Sequence, residues 1–299
     1  ELMQDNKFNN KEVKINQDFI DELYKSALSI VYNEIKTHFM LGDTEEFDNF
    51  EPKSVDAESA SAYDVYRLAC CEYVGYKIDE NETLAEKHWL KASNANDHNA
   101  MLEYSVCMFE QGKAEDGFKS LLKASKLGDS VAIFRTALCY LNGVGCKENV
   151  KKGVELIKLL AGNNNANALY FYSTMLEYGN GDDVAVDKAK AKEMLDKAFK
   201  LGSPFAKTDV GLKAFMDAKT EDERVKALNI VEQGAEDGDI RAMCIMSIVY
   251  ARGESGFEID VEKSHKYLAL SYDAGFPISV RIVEEAKKLI SNSSSNGAR

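Results

Sequence analysis

The chain has 299 residues, 37 basic against 50 acidic side chains, a formal charge of −13, and 45% hydrophobic and 10% aromatic residues. That apolar share excludes a wholly disordered chain. A pI near 4.9 excludes a nucleic-acid binder that works by neutralising phosphates, because such a protein needs a basic face.

Read in chain order, residues 16–40 form the first predicted helix, with Asn16 as its cap and an apolar stripe of Phe19, Leu23, Ile30 and Phe39. Residues 1–60 hold fourteen acidic and six basic side chains, and the stretch 43–58 sets Asp43, Glu45, Glu46, Asp48, Glu51, Asp56 and Glu58 against Lys53 alone. Together with Pro52 this reads as an exposed linker, the alternative being an acidic docking segment. From about residue 62 the sequence repeats itself. Aligning Ala100, Ala132, Ala168, Ala206 and Ala242 gives spacings of 32, 36, 38 and 36, and the first column extends back to Asp64. Five residues on, a second column holds Ala69, Ser105, Ala137, Ser173, Gly211 and Ser247. A third holds Ala85, Gly117, Gly153, Ala191, Ala227 and Ser264.

Six units of about 36 residues therefore cover roughly 62–275. In the third, Ala132, Thr136, Cys139 and Tyr140 share one helical face, Gly143-Val144-Gly145 stops that helix, and a second helix follows from about Val150 to Leu160. A lone helix pair cannot bury its apolar face, so the units must stack, with the small columns letting paired helices approach. The expectation is an all-α chain: an N-terminal helix and acidic linker over 1–60, a solenoid of helix-turn-helix repeats over 61–276, a closing helix over 277–290 and a disordered tail over 291–299. The run Leu159–Leu176 lacks charge but is interrupted by Gly162 and four asparagines, so it cannot cross a bilayer.

The copies Ala132–Gly162, Ala168–Gly202 and Ala242–Gly275, the last reading AMCIMSIVYARGESG…DVEKSHKYLALSYDAG, resemble the Sel1-like repeat, a relative of the tetratricopeptide repeat. Unit two departs by lacking the long inter-helix loop, and unit five replaces it with Asp217–Glu223. The resemblance implies an α-solenoid with capping helices at both ends, whose first helices line the inner, concave face. Positions one before, two after and six after the aligned column would then face inward. They include Tyr63, Tyr66, Leu102, Phe134, Tyr170, Thr174 and Arg241, with Phe109 and Leu141 extending the row. One place further on, Arg67, Glu103 and Arg135 would supply a polar rim. The expected partner-binding residues are Tyr63, Tyr66, Arg67, Leu102, Phe109, Phe134, Arg135, Leu141 and Tyr170, because buried aromatic and Arg anchors dominate interface energy.

Catalytic chemistry is not legible. His38, His88, His98 and His265 sit in different elements without a second ligand at helical spacing, and six cysteines form neither a C-x-x-C pair nor a zinc spacing. Cys71, Cys107 and Cys139 share a column with Met175 and Val249, which makes it an apolar packing column. The Gly-x-Gly loops close helices rather than open them, which suits C-caps and not phosphate. No catalytic residue, metal or cofactor is expected. The reading is a non-catalytic scaffold or adaptor that binds a protein or peptide in its concave groove, in signalling, cell-envelope or host-interaction regulation. An immunity-type inhibitor of a basic toxin is the alternative, and an enzyme with an unrecognised site stands behind both. A monomer with no nucleic-acid partner and no membrane insertion is expected. Six free thiols suit the cytoplasm, or the periplasm or exterior if a signal peptide once preceded Glu1.

Overall fold

A computed structural model describes residues 34–41, 44–180 and 183–296. The predicted N-terminal helix falls largely outside the described residues, Asn16, Phe19, Leu23 and Ile30 with it; its end is present as α1 (Glu34–Leu41). After α2 (Glu45–Asp48) and a single 3-10 turn (Pro52–Ser54), the described chain is a succession of helix pairs. Unit one is α3 (Ala62–Val74) with α4 (Glu82–Asn94), and unit two is α5 (His98–Glu110) with α6 (Ala114–Lys126). Unit three is α7 (Ser130–Asn142) with α8 (Val150–Gly162), and unit four is α9 (Ala166–Tyr178) with α10 (Lys188–Lys200). Unit five is α11 (Pro204–Asp217) with α12 (Glu221–Glu236), and unit six is α13 (Ile240–Arg252) with α14 (Val261–Asp273). No named strand occurs among the described residues; an isolated bridge joins Asn180 to Val184 inside a loop.

Most of the paired helices start where a side chain supplies an acceptor; α6 and α11, preceded by Lys113 and Ser203, have no side-chain cap. The side chains of Asp97, Asp129 and Asn165 accept from the N–H of Ala100, Ala132 and Ala168, so the first aligned column is the third residue of each leading helix. Asn81, Asn149, Asp187, Thr220 and Asp260 do the same for the second helices. Each such cap contributes about 1 kcal/mol. Gly143 closes α7 at φ 66°, a left-handed conformation in which a Cβ would be strained.

Columns two and three meet inside every hairpin that the contacts resolve. A Cβ on Gly117 would lie 2.9 Å from the carbonyl oxygen of Ser105, and one on Gly153 would lie 3.0 Å from that of Ala137. In unit six the Ser264 hydroxyl donates to the Ser247 carbonyl at 2.8 Å. The alanines of column one, at 100, 132, 168, 206 and 242, are all fully buried. Units two and five, whose loops depart from the repeat, still form hairpins; Thr220 and Glu223 build a capping box at the start of α12.

Two expectations need correction. The acidic stretch is not a free linker: over its described residues Phe47 and Phe50 are 3% and 6% exposed, packed into the core of unit one. The Lys77 ammonium donates to the carbonyls of Phe47, Asp48 and Phe50 at 3.2, 2.6 and 3.2 Å, pinning the segment over the inter-helix loop. Its described acidic side chains, Glu45 through Glu58, face solvent while Phe47 and Phe50 are buried. The closing helix, α15 (Pro277–Asn296), continues six residues past the expected end and takes in most of the predicted tail.

Gly211 sits in column two, where a Cβ would lie 2.7 Å from Val231 Cγ2 and 2.9 Å from the Ala227 carbonyl oxygen. Gly211→Leu is predicted to lower stability by about 3 kcal/mol by wedging α11 from α12. Urea unfolding against the parent checks it; an unchanged midpoint would refute the contact.

Candidate functional site

The expected partner-binding residues divide by what they touch. Tyr63 is 42% exposed and its hydroxyl donates to Glu46 at 2.7 Å. Arg67 stacks 4.2 Å over the Phe50 ring and donates to Asp64 at 2.7 Å. Both therefore hold the N-terminal segment onto unit one. Tyr66, Leu102, Phe109, Phe134, Arg135, Leu141 and Tyr170 are each 2–8% exposed. As freely presented anchors these seven are corrected: they are core.

The physical reason is the spacing of stacked helices. The side chain two places after the aligned column points at the next unit. Phe134 meets Phe171 at 5.3 Å, and Tyr170 stacks on Phe205 at 5.5 Å. Phe109 and Leu141 fill the space over the glycines of column three, their side chains being what a Cβ on Gly117 or Gly153 would strike. Of the polar rim, burial first and the nearby Glu110 charge second push the Glu103 carboxyl up to about 8. Burial alone brings the Arg135 guanidinium down to about 10.

Among the described residues, a cleft of about 400 Å³ lies between α9, α10 and α11. It lies at a break in the core: one apolar cluster runs from unit two to Phe205 and Ala206 of α11, and a separate one begins at Leu228 of α12. Arg241, reaching in from α13, ties the two sides. Its guanidinium donates to Asp209 at 3.1 Å, to the Tyr170 hydroxyl at 3.3 Å, to the Phe205 carbonyl at 3.3 Å and to Asp239 at 2.8 Å. The Tyr170 hydroxyl in turn donates to Asp209 at 2.8 Å. Desolvation opposes the Arg241 charge, yet Asp239, Tyr170 and Asp209 hold its pKa well above the usual value. Burial lifts the Asp209 carboxyl, and Arg241 works against that rise. Such a mutually hydrogen-bonded network makes a rigid floor.

The cleft's outer lining includes Thr174, Glu177, Tyr178, Lys188, Lys192 and Lys213. The three lysines are exposed and form no ion pair among the described residues. Asp209, Lys213 and Met216 follow one face of α11 at helical spacing, as Tyr170, Thr174 and Tyr178 do on α9. Of this set, sequence reasoning named Tyr170 as a site and Thr174 and Arg241 as inward positions. It passed over Asp209, although Asp209 occupies the same column as Arg67, Glu103 and Arg135.

His88 Nδ1 lies 2.8 Å from the buried Glu72 carboxylate. No group of three His, Cys, Asp or Glu stands close enough to hold a metal among the described residues. All six cysteines are free, five of them buried and Cys146 half-buried. Burial raises every thiol whose environment departs from the ordinary, Cys139 to about 12 and Cys71 and Cys107 to about 11.

The Sel1 repeat family model matches residues 62–97, 130–165, 166–203 and 240–276, which are units one, three, four and six. The two units outside it are those whose inter-helix loops depart from the repeat. A Sel1 repeat protein from Oxalobacter formigenes is 22% identical over 77% of this chain and 67% of its own, with a TM-score of 0.50. The antigen c5321 of uropathogenic Escherichia coli, described as having an SLR fold, is 15% identical over 75% of this chain and 48% of its own, with a TM-score of 0.47. A putative sel1 repeat protein from Klebsiella pneumoniae is 16% identical over 81% and 97%, with a TM-score of 0.37. At 22% identity the likeness to the Oxalobacter formigenes protein concerns the fold alone. A search of curated proteins found no match.

Glu103 yields a pH prediction. Neutral in the fold up to about pH 8 but ionised in the unfolded chain from its ordinary 4.5 upward, it costs stability progressively as pH rises between those values. Glu103→Gln should therefore equal the parent at pH 4 and exceed it by on the order of a few kcal/mol at pH 8, measured by denaturant titration across the range. For the thiols, a colorimetric count should reach six on unfolding without reductant, with Cys146 reacting first in the native protein; any disulfide would lower the total.

Proposed function

The chain is a Sel1-repeat α-solenoid, and from that premise we propose that it is a non-catalytic scaffold that binds a protein or peptide along the inner face of its array. Sel1 repeat proteins typically mediate protein–protein interaction. The observation that carries the reading here is the cleft between α9 and α11. Its floor is fixed by the Arg241–Asp209–Tyr170 network, and it opens on first-helix residues at inward positions. A preformed concavity with an aromatic floor and polar walls costs little ordering on binding, which is what an adaptor site requires. The charge of −13 supports long-range attraction to a basic partner, while the cleft itself offers local groups of both signs. Free thiols support a reducing, cytoplasmic setting.

The test is capture of partners from cell lysate by the full chain, followed by affinity measurement with the recovered protein. Tyr178→Ala combined with Lys213→Glu should weaken binding at least about tenfold, the scale of a lost anchor, with the circular dichroism spectrum unchanged. Leu159→Ala, on the exposed side of a second helix, should bind like the parent. If the cleft variant binds normally while charge reversals at Glu45, Glu51 and Glu58 abolish capture, the acidic segment is the site and the groove reading falls.

A further inference from the structure

The helix α1 touches two parts of the array that the sequence holds far apart. Ile35 is 5% exposed and belongs to the core of unit one. Phe39 packs against the same core, with ring contacts to Phe47 at 4.8 Å and Tyr76 at 5.0 Å. Leu41 packs instead against the apolar cluster of units five and six, which Leu212, Phe215 and Ile245 also join. Ile35 and Phe39 are four residues apart and share a helix face, whereas Phe39 and Leu41 lie about 200° apart around the axis. The helix is thus gripped on opposite sides by opposite ends of the stack.

Three helix pairs separate unit one from unit five. With helix axes spaced about 8–10 Å apart, a straight stack would hold those ends roughly 30 Å or more from each other. Eight helical residues span about 12 Å. The contacts of α1 are compatible only with an array that curves back on itself, and with α1 on the concave side of that curve.

We propose that α1 is a tie across the inner face, and that the patch under Leu41 on units five and six is a docking site for an apolar helix, occupied in cis by α1. The partner it fits is an amphipathic helix whose apolar face carries branched or aromatic side chains, which enters by displacing α1. Tethering gives the cis segment an effective concentration in the millimolar range, so a free helix competes poorly until the tie is cut. The docking half rests on the inner-face reading above; the tie does not.

The experiment compares full-chain Leu41→Asp with the parent by hydrogen exchange and mass spectrometry. A control is Met40→Asp, whose side chain is 43% exposed and outside both clusters. Leu41→Asp should speed exchange about tenfold in residues 34–41 and along α11 and α13, with α7 and α8 unchanged; Met40→Asp should leave all of these alone. A fluorescein-labelled peptide of residues 31–46 should bind the Leu41→Asp protein and not the parent in an anisotropy titration. Exchange along α11 and α13 equal to the parent's, or raised uniformly through every unit, overturns the tie. Loosened ends without peptide binding overturn the docking site alone.

Discussion

The molecule depends on how closely two helices can approach. In the hairpins of units two, three, five and six a small residue of the first helix lies opposite a small residue of the second, and in three of them a glycine leaves less than 3.1 Å between where its Cβ would be and a backbone carbonyl. Close packing at that one level forces the larger side chains outward, toward neighbouring units, where they become the interlocking layer of Phe134, Phe171, Tyr170 and Phe205. Stacking is a consequence of the hairpin's narrow waist.

The stack is nevertheless uneven. Apolar packing runs from unit two to Phe205 and Ala206 at the start of α11, and a separate cluster, which Leu212 and Phe215 join later in the same helix, takes over through units five and six. Across that seam the connection is polar: a guanidinium, two carboxylates and a phenol in place of interlocked hydrocarbon. Polar ties are directional and leave space around them, and a cleft of about 400 Å³ opens beside this one. The fold provides its cleft by economising on apolar contact, and the geometry of that cleft is held by charge.

Much of this was legible in the sequence because columns of small residues report on backbone proximity, which a single chain displays six times over. What escaped has particular causes. Acidic residues around Phe47 and Phe50 suggested a solvated linker, since composition averages over a segment whose two faces differ. The aromatic row on the first helices was read as a presented surface, but a residue facing the concave side of its own unit also faces the flank of the next. The cleft lies where units four and five meet, and no column of aligned positions records how neighbouring units meet. Asp209 alone carried a signal, as a charged residue in a column where Phe171 and Ile245 stand in the flanking units.

Repeat arrays commonly grow and shrink by gene duplication of whole units, since each one needs only its neighbours. The grip of Phe39 on one end and Leu41 on the other removes that freedom here. An added or deleted pair would rotate and shift the far end by one full step, and Leu41 would then face a gap or a collision where it now meets apolar surface. A short helix outside the repeats thereby counts them.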